Sequence, residues 1–113
     1  MPSGPVRVAI VGTGGIARVH AEALRPDPRA VLVAAADVDA GRLAAFAVKH
    51  GVPATYGDLD ELLRDARPDL VHICTPPHAH CEQAHRCLRA GVSVLVEKPP
   101  VISLREFDVL AAA

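Results

Sequence analysis

The chain has 113 residues, half of them hydrophobic, with 3% aromatic residues, no Trp and a formal net charge of -1. That length holds one domain rather than two, and the composition gives it an aliphatic core. The charge balance excludes a basic nucleic-acid-binding or membrane-surface protein. Met1 to Pro5 lacks the charged-then-apolar order of a secretory signal, and the apolar stretch Val31 to Ala36 is far too short to span a bilayer. Three scattered Cys, an odd number, are expected as reduced thiols of a soluble, cytoplasmic protein. Residues 1–5 are expected to be a disordered N-terminus.

Val6 to Val11 is a β-branched run ending in glycines and predicts the first strand. A helix is predicted from Gly15 to Arg25, closed by Pro26 and Pro28. Val31 to Ala36 is the second strand, ending at Asp37. Asp39 stands at an N-cap position before a helix over Ala40 to His50, and Gly51 at the position that follows a helix end. Pro53 to Tyr56 is a weak third strand, and Asp58 and Glu61 have capping-box spacing for a short helix reaching Asp65. Leu70 to Cys74 is a fourth strand, Pro77 to Ala90 a helix closed by Gly91, and Val92 to Val96 a fifth strand. Ser103 and Glu106 open a last helix, running on to Ala113.

Strands alternating with helices imply parallel strands and right-handed crossovers. The expected fold class is α/β: a Rossmann-type doubly wound parallel sheet in three αβα layers. Residues 1–113 are read as one dinucleotide-binding domain, the front part of a longer protein that stops before a sixth strand and a second domain. Val101, Leu104 and Leu110 would then present an apolar face, and the isolated chain is expected to self-associate.

The chemistry starts directly after the first strand, at Gly12-Thr13-Gly14-Gly15-Ile16-Ala17, which matches G-x-G-x-x-G/A. Gly12 permits the tight turn, Gly14 lets a pyrophosphate approach the backbone, and Ala17 is small enough for the helix to pack on the sheet. The free N–H groups and the dipole of the helix start favour the phosphates. Asp37 ends the next strand, 20 residues beyond Ala17, where a carboxylate accepts hydrogen bonds from an adenosine ribose and repels a 2′-phosphate. The expected cofactor is therefore NAD. Arg42, a few residues on, keeps NADP open as the alternative, since a long basic side chain there meets a 2′-phosphate.

Thr75-Pro76-Pro77-His78-Ala79-His80 follows the fourth strand and Glu97-Lys98-Pro99-Pro100 the fifth, both at the carboxyl ends where open α/β sheets bind ligands. With the glycine turn and Asp37, these motifs resemble the glucose-fructose oxidoreductase, inositol dehydrogenase and rhizopine-catabolism family (Gfo/Idh/MocA) from about Val6 to the end. The resemblance implies that Lys98 lies close to the nicotinamide and the substrate hydroxyl as the catalytic residue. It implies that Glu97 lies near the nicotinamide ribose and that Pro99, often cis in the family, turns the chain into the site. It also implies that Thr75, Pro76 and Pro77 line the cofactor and that His80 starts the next helix close by. Where the family commonly reads A-G-K-H-V, this chain has Ala90-Gly91-Val92-Ser93-Val94. Family members also carry a second, mostly β domain with a D-x-x-x-H motif, the substrate contacts and the oligomer interface.

The implied activity is NAD(P)-dependent dehydrogenation, a hydride moving between nicotinamide and a hydroxyl-bearing carbon of a sugar, cyclitol or similar small polyol. This chain supplies the cofactor-binding part and is expected to be inactive alone, and the full-length protein is expected to be a homo-oligomer. Two alternatives share these residues: an NAD-dependent glycosidase, and a non-catalytic NAD-sensing protein with a dehydrogenase-like fold. No metal site is expected: Cys74, His78, His80, Cys81, His85 and Cys87 crowd together, but no C-x-x-C or H-E-x-x-H spacing occurs. His72 is read as a satisfied sheet histidine, and His20 as near the phosphates at best.

Overall fold

The computed structural model describes residues 4–96. In chain order these form β1 (Val6–Val11), α1 (Gly15–Leu24), β2 (Ala30–Ala36), α2 (Ala40–His50) and β3 (Ala54–Tyr56), then α3 (Leu59–Ala66), β4 (Leu70–Ile73), α4 (Pro77–Arg89) and β5 (Ser93–Val96). Every strand pair is parallel, in the order β3-β2-β1-β4-β5. The chain therefore moves outward from β1 in one direction, then crosses back over it to place β4 on its other side. Between β1 and β4 the winding reverses, and helices leaving their carboxyl ends diverge to opposite faces, opening a crevice.

Side-chain alternation along the strands builds the two layers. Ala9, Val11, Val71 and Ile73 point to one face, where they pack with Leu59, Leu62, Ala84 and Cys87 of α3 and α4. Ile10 and Ala35 point to the other and pack with Ala17, Ala21, Leu43 and Phe46 of α1 and α2. This is the three-layer, doubly wound architecture expected from the alternation of elements. With so few aromatics, small side chains in the strands carry the close approach of helix to sheet: Ala9, Ala34 and Ala35 are wholly buried.

Local chemistry sets the element ends. Asp39 caps α2, its carboxylate accepting from the Arg42 N–H at 3.0 Å, and Gly51 ends the helix at φ 67°. Asp58 caps α3 by accepting from the Glu61 N–H at 2.9 Å. β3 begins at Ala54 and not at Pro53, because proline has no N–H to give the ladder. Val92 stays outside β5 because its N–H closes α4 on the Cys87 carbonyl, at 2.9 Å. His72, on the α1 side of β4, is buried, with its Nδ1 2.8 Å from that of His20, so one imidazole donates and the other accepts. All three cysteines are buried and unbridged, and burial pushes the Cys87 thiol up to about 12. No described helix is long and apolar enough to cross a membrane. Of the expected disordered N-terminus, residues 1–3 lie outside the described residues, as do the helix predicted from Ser103 and the apolar residues Val101, Leu104 and Leu110.

Leu62 is fully buried beneath the sheet while Val48 is 86% exposed on α2. Leu62→Ala should cost about 2–5 kcal/mol of unfolding free energy in a denaturant titration. Val48→Ala should stay within about 0.5 kcal/mol of the parent.

Candidate functional site

At the crevice a cavity of about 550 Å³ is lined by Val11, Gly12 and Gly14 from β1 and its turn, by Ala36 to Val38 and Arg42 from the end of β2 and α2, by the Gly57 loop, and by Cys74 to Pro76 with the start of α4. Four strand ends are stitched together beneath it. The Gly12 N–H donates to the Ala36 carbonyl at 2.8 Å, Cys74 N–H to Val11 at 2.8 Å, and Asp37 N–H to Tyr56 at 3.2 Å.

The glycines of the turn have different physical reasons. Gly12 adopts φ 87°, and a Cβ on it would fall 2.8 Å from Thr75 Cγ2, 2.8 Å from Thr75 N and 2.9 Å from the Cys74 carbonyl carbon. Its side is already filled by the β4–α4 connection. Gly14 has an ordinary extended φ of -76°, and nothing lies within 4 Å of where its Cβ would be. Among the described residues no atom requires a glycine there, so the open space beside it is what the residue provides. Gly15 and Ile16 follow on the exposed first turn of α1, while Ala17 is buried and packs against the sheet.

The four described helices divide into two kinds. α2 and α3 are capped by their own aspartates, whereas α1 and α4 begin at Gly14 and Pro76 with no side-chain cap. Both uncapped helices start at the cavity. Their first N–H groups and positive dipole ends make that rim favourable for an anion.

Asp37 is the most heavily bonded residue of the site. Its Oδ2 accepts from Thr13 N–H at 2.8 Å, Thr13 Oγ1–H at 2.6 Å and Arg42 Nε–H at 3.0 Å. Its Oδ1 accepts from Asp39 N–H at 2.9 Å and Arg42 Nη2–H at 3.1 Å. Burial alone would raise this carboxyl. Hydrogen bonds from Arg42, from the Thr13 hydroxyl and from the Asp39 and Thr13 backbones outweigh it and hold the group well below the usual carboxylate range. Thr13 is thus buried under the turn and serves Asp37.

On the α4 side, Thr75 Oγ1–H donates to Gln83 Oε1, and Gln83 itself lines the cavity. His80 turns inward: it is buried, and its Nε2–H donates to the Thr75 carbonyl. It holds the Thr75 loop, and His78 and Ala79 are the neighbours that reach the cavity wall. Pro76 lines the cavity and Pro77 opens α4. Glu97, Lys98 and Pro99 lie outside the described residues. Sequence reasoning did not single out Gln83, Val38 or the Gly57 loop. Val38 follows the acid at a strand end and is 93% exposed, a position at which a large apolar residue has no core to serve.

Residues 6–113 match the family model described as an oxidoreductase family with an NAD-binding Rossmann fold. The chain is 35% identical over 103 residues to a myo-inositol 2-dehydrogenase of Thermotoga maritima, covering 91% of this chain and 31% of that protein. It is 36% identical over 104 residues to a D-glucoside 3-dehydrogenase of Escherichia coli, covering 91% of this chain and 30% of that one. Among solved structures it superposes on the WlbA dehydrogenase of Chromobacterium violaceum, in complex with NADH and UDP-GlcNAcA, with a TM-score of 0.93 at 29% identity, over 99% of this chain and 32% of that one. The chain spans about a third of the length of the curated relatives it matches.

Two outcomes are expected from this geometry. Gly14→Ala should unfold at the parent's denaturant midpoint yet lose binding of a pyrophosphate-bearing nucleotide, whereas Gly12→Ala should lower the midpoint as well, with both read by the same titrations. For Asp37 the folded pKa lies below the unfolded one. Its contribution to stability is therefore full above the unfolded value of about 4 and is lost as pH falls through the depressed folded value. The stability gap between the parent and Asp37→Asn should be constant from pH 7 to about 5 and narrow only in stronger acid, as followed by thermal melts across pH.

Proposed function

The chain belongs to the Gfo/Idh/MocA oxidoreductase family, and from that premise we propose that it is the cofactor-binding part of a longer NAD-dependent dehydrogenase. The reaction is hydride transfer between nicotinamide and a hydroxyl-bearing carbon of a sugar, cyclitol or similar small polyol. The observation that carries this reading is the coincidence of three features on one cavity: a glycine with open space where its side chain would be, two uncapped helix starts, and a buried carboxylate at the end of β2. A dinucleotide asks for these three things in this order, as pyrophosphate approach, pyrophosphate charge and ribose recognition. The names of the relatives, inositol and glucoside dehydrogenases, support the substrate class.

In this reading the pyrophosphate sits beside Gly14 on the backbone N–H groups of Gly15 and Ile16 at the start of α1, while those of Gly12 and Thr13 hold the turn through Ala36 and Asp37. Asp37 accepts from the adenosine ribose, and Val38 gives an apolar surface beside the base. Thr75, Pro76 and Pro77 wall the nicotinamide half, with His80 fixing the Thr75 carbonyl from behind. When bound, the cofactor supplies the hydride acceptor or donor. Lys98 is assigned to the substrate hydroxyl, where its ammonium orients the oxygen and gives the proton in the reducing direction, and its neutral amine takes the proton in the oxidising one. By the family resemblance Glu97 is assigned to the nicotinamide ribose and Pro99 to turning the chain into the site. The whole protein is read as a cytoplasmic homo-oligomer, in keeping with three buried, unbridged cysteines.

Titration of the protein with NADH, followed by nicotinamide fluorescence, tests the reading. Saturable binding that is lost in Asp37→Ala is the expected result. In the full-length enzyme Lys98→Met should lower turnover by about 100-fold or more, as loss of a general acid–base group does, while the NADH dissociation constant changes little. Turnover unaffected by Lys98→Met would remove the lysine from the chemistry, and no NADH binding by the parent would remove the reading itself.

A further inference from the structure

The Asp37 carboxylate is full. A carboxylate offers about four lone-pair sites, and Asp37 already accepts five hydrogens, three on Oδ2 and two on Oδ1. A ribose hydroxyl finds no acceptor there unless a present donor leaves. Thr13 is buried within the turn and gives both its N–H and its hydroxyl. The Asp39 N–H is backbone, fixed by the start of α2. Arg42 is different: its side chain is 51% exposed while that of Asp37 is 3% exposed. Its side chain is held by no other acceptor among the described contacts, it lines the same cavity, and being half-exposed it can turn into solvent on release.

We propose that Arg42 occupies the ribose subsite as an internal stand-in for the ribose diol, and that cofactor binding exchanges one for the other. The shapes match. The guanidinium places one N–H on each carboxylate oxygen, Nε on Oδ2 and Nη2 on Oδ1. A vicinal 2′,3′-diol likewise offers two O–H donors, one to each oxygen. Five donors then remain after the exchange, and the carboxylate is never left buried without partners. The exchange also frees a cation at the mouth of the ribose subsite. With a 2′-phosphate in place of the 2′-hydroxyl, that freed guanidinium is the natural partner, so Arg42 sets the balance between the two nicotinamide cofactors. It opposes NADH and assists NADPH. This inference rests on the cofactor site proposed above.

The test is the dissociation constants of NADH and NADPH for the parent, Arg42→Met and Arg42→Lys in the full chain. Removing an exposed competitor should tighten NADH by up to about fivefold. Losing a charge-assisted phosphate partner should weaken NADPH by about tenfold or more. Arg42→Lys, which keeps the charge without the two-pronged fork, should tighten NADH and spare part of the NADPH affinity. In the cofactor-free protein the Arg42 Nε–H should give a slowly exchanging NMR signal that disappears on saturation with NADH. NADH binding that is unchanged or weaker in Arg42→Met, or an Arg42 Nε–H signal that persists in the saturated complex, would overturn the exchange while leaving the cofactor site standing. A parent that binds neither cofactor would overturn both.

Discussion

One carboxylate ties the functional end of the sheet together. Asp37 ends β2, yet its oxygens hold the glycine turn after β1 through Thr13 and the first turn of α2 through Asp39 and Arg42. Thr13 lies 24 residues before the acid, whereas Asp39 and Arg42 follow it by two and five, so one side chain joins a distant turn to its own neighbours. A buried carboxylate is costly unless its partners are all in place, so the turn conformation, the α2 start and the acid require one another. The low carboxyl pKa is the thermodynamic trace of that arrangement. The group keeps its charge, and hence its hold on Thr13, throughout the neutral range.

On the other side of the crevice a steric constraint does the equivalent work. Thr75 and the Cys74 carbonyl press so close to Gly12 that no Cβ fits, which brings the β4–α4 connection down against the turn. His80 and Gln83, both on α4, fasten Thr75 from behind and from above. The result is a cavity with walls set by packing and by two uncapped helix starts. An anion at this rim would meet backbone N–H groups, which carry no side-chain entropy to lose on binding.

The sequence pattern placed most of this correctly, for identifiable reasons. Strand and helix alternation needs only local periodicity, and Asp39, Gly51 and Asp58 act within three or four residues of where they stand, so β1 to β5 and their helices were legible to within two residues. The glycine turn and Asp37 were legible because a βαβ unit fixes their separation. Partnerships across the sheet were not. Nothing local says that Gly12 answers to Thr75, that His20 meets His72, or that His80 faces the Thr75 carbonyl and leaves the cavity wall to its neighbours. Gln83 escaped notice because a single amide on an amphipathic helix looks like surface until the helix is docked. Its hydrogen bond to Thr75 spans eight residues, from the loop before α4 to the middle of that helix.

Arg42 shows how a fold requirement and a binding requirement are reconciled in one residue. A ribose-recognising carboxylate must be buried enough to be selective and ionised enough to accept two hydroxyl hydrogen bonds. Those conditions leave a charge below the surface whenever the ribose is elsewhere. A fixed internal partner would satisfy the charge but block the ligand, and no partner at all would destabilise the turn. A guanidinium on a long, half-exposed side chain meets both conditions, because it matches the carboxylate in geometry and is at ease in water. Its place in the first turn of α2, five residues after the acid, lets the fork reach back across the strand end. The same five-residue offset that makes the pair geometrically close makes it separable, since only side-chain torsions need to change for the arginine to leave.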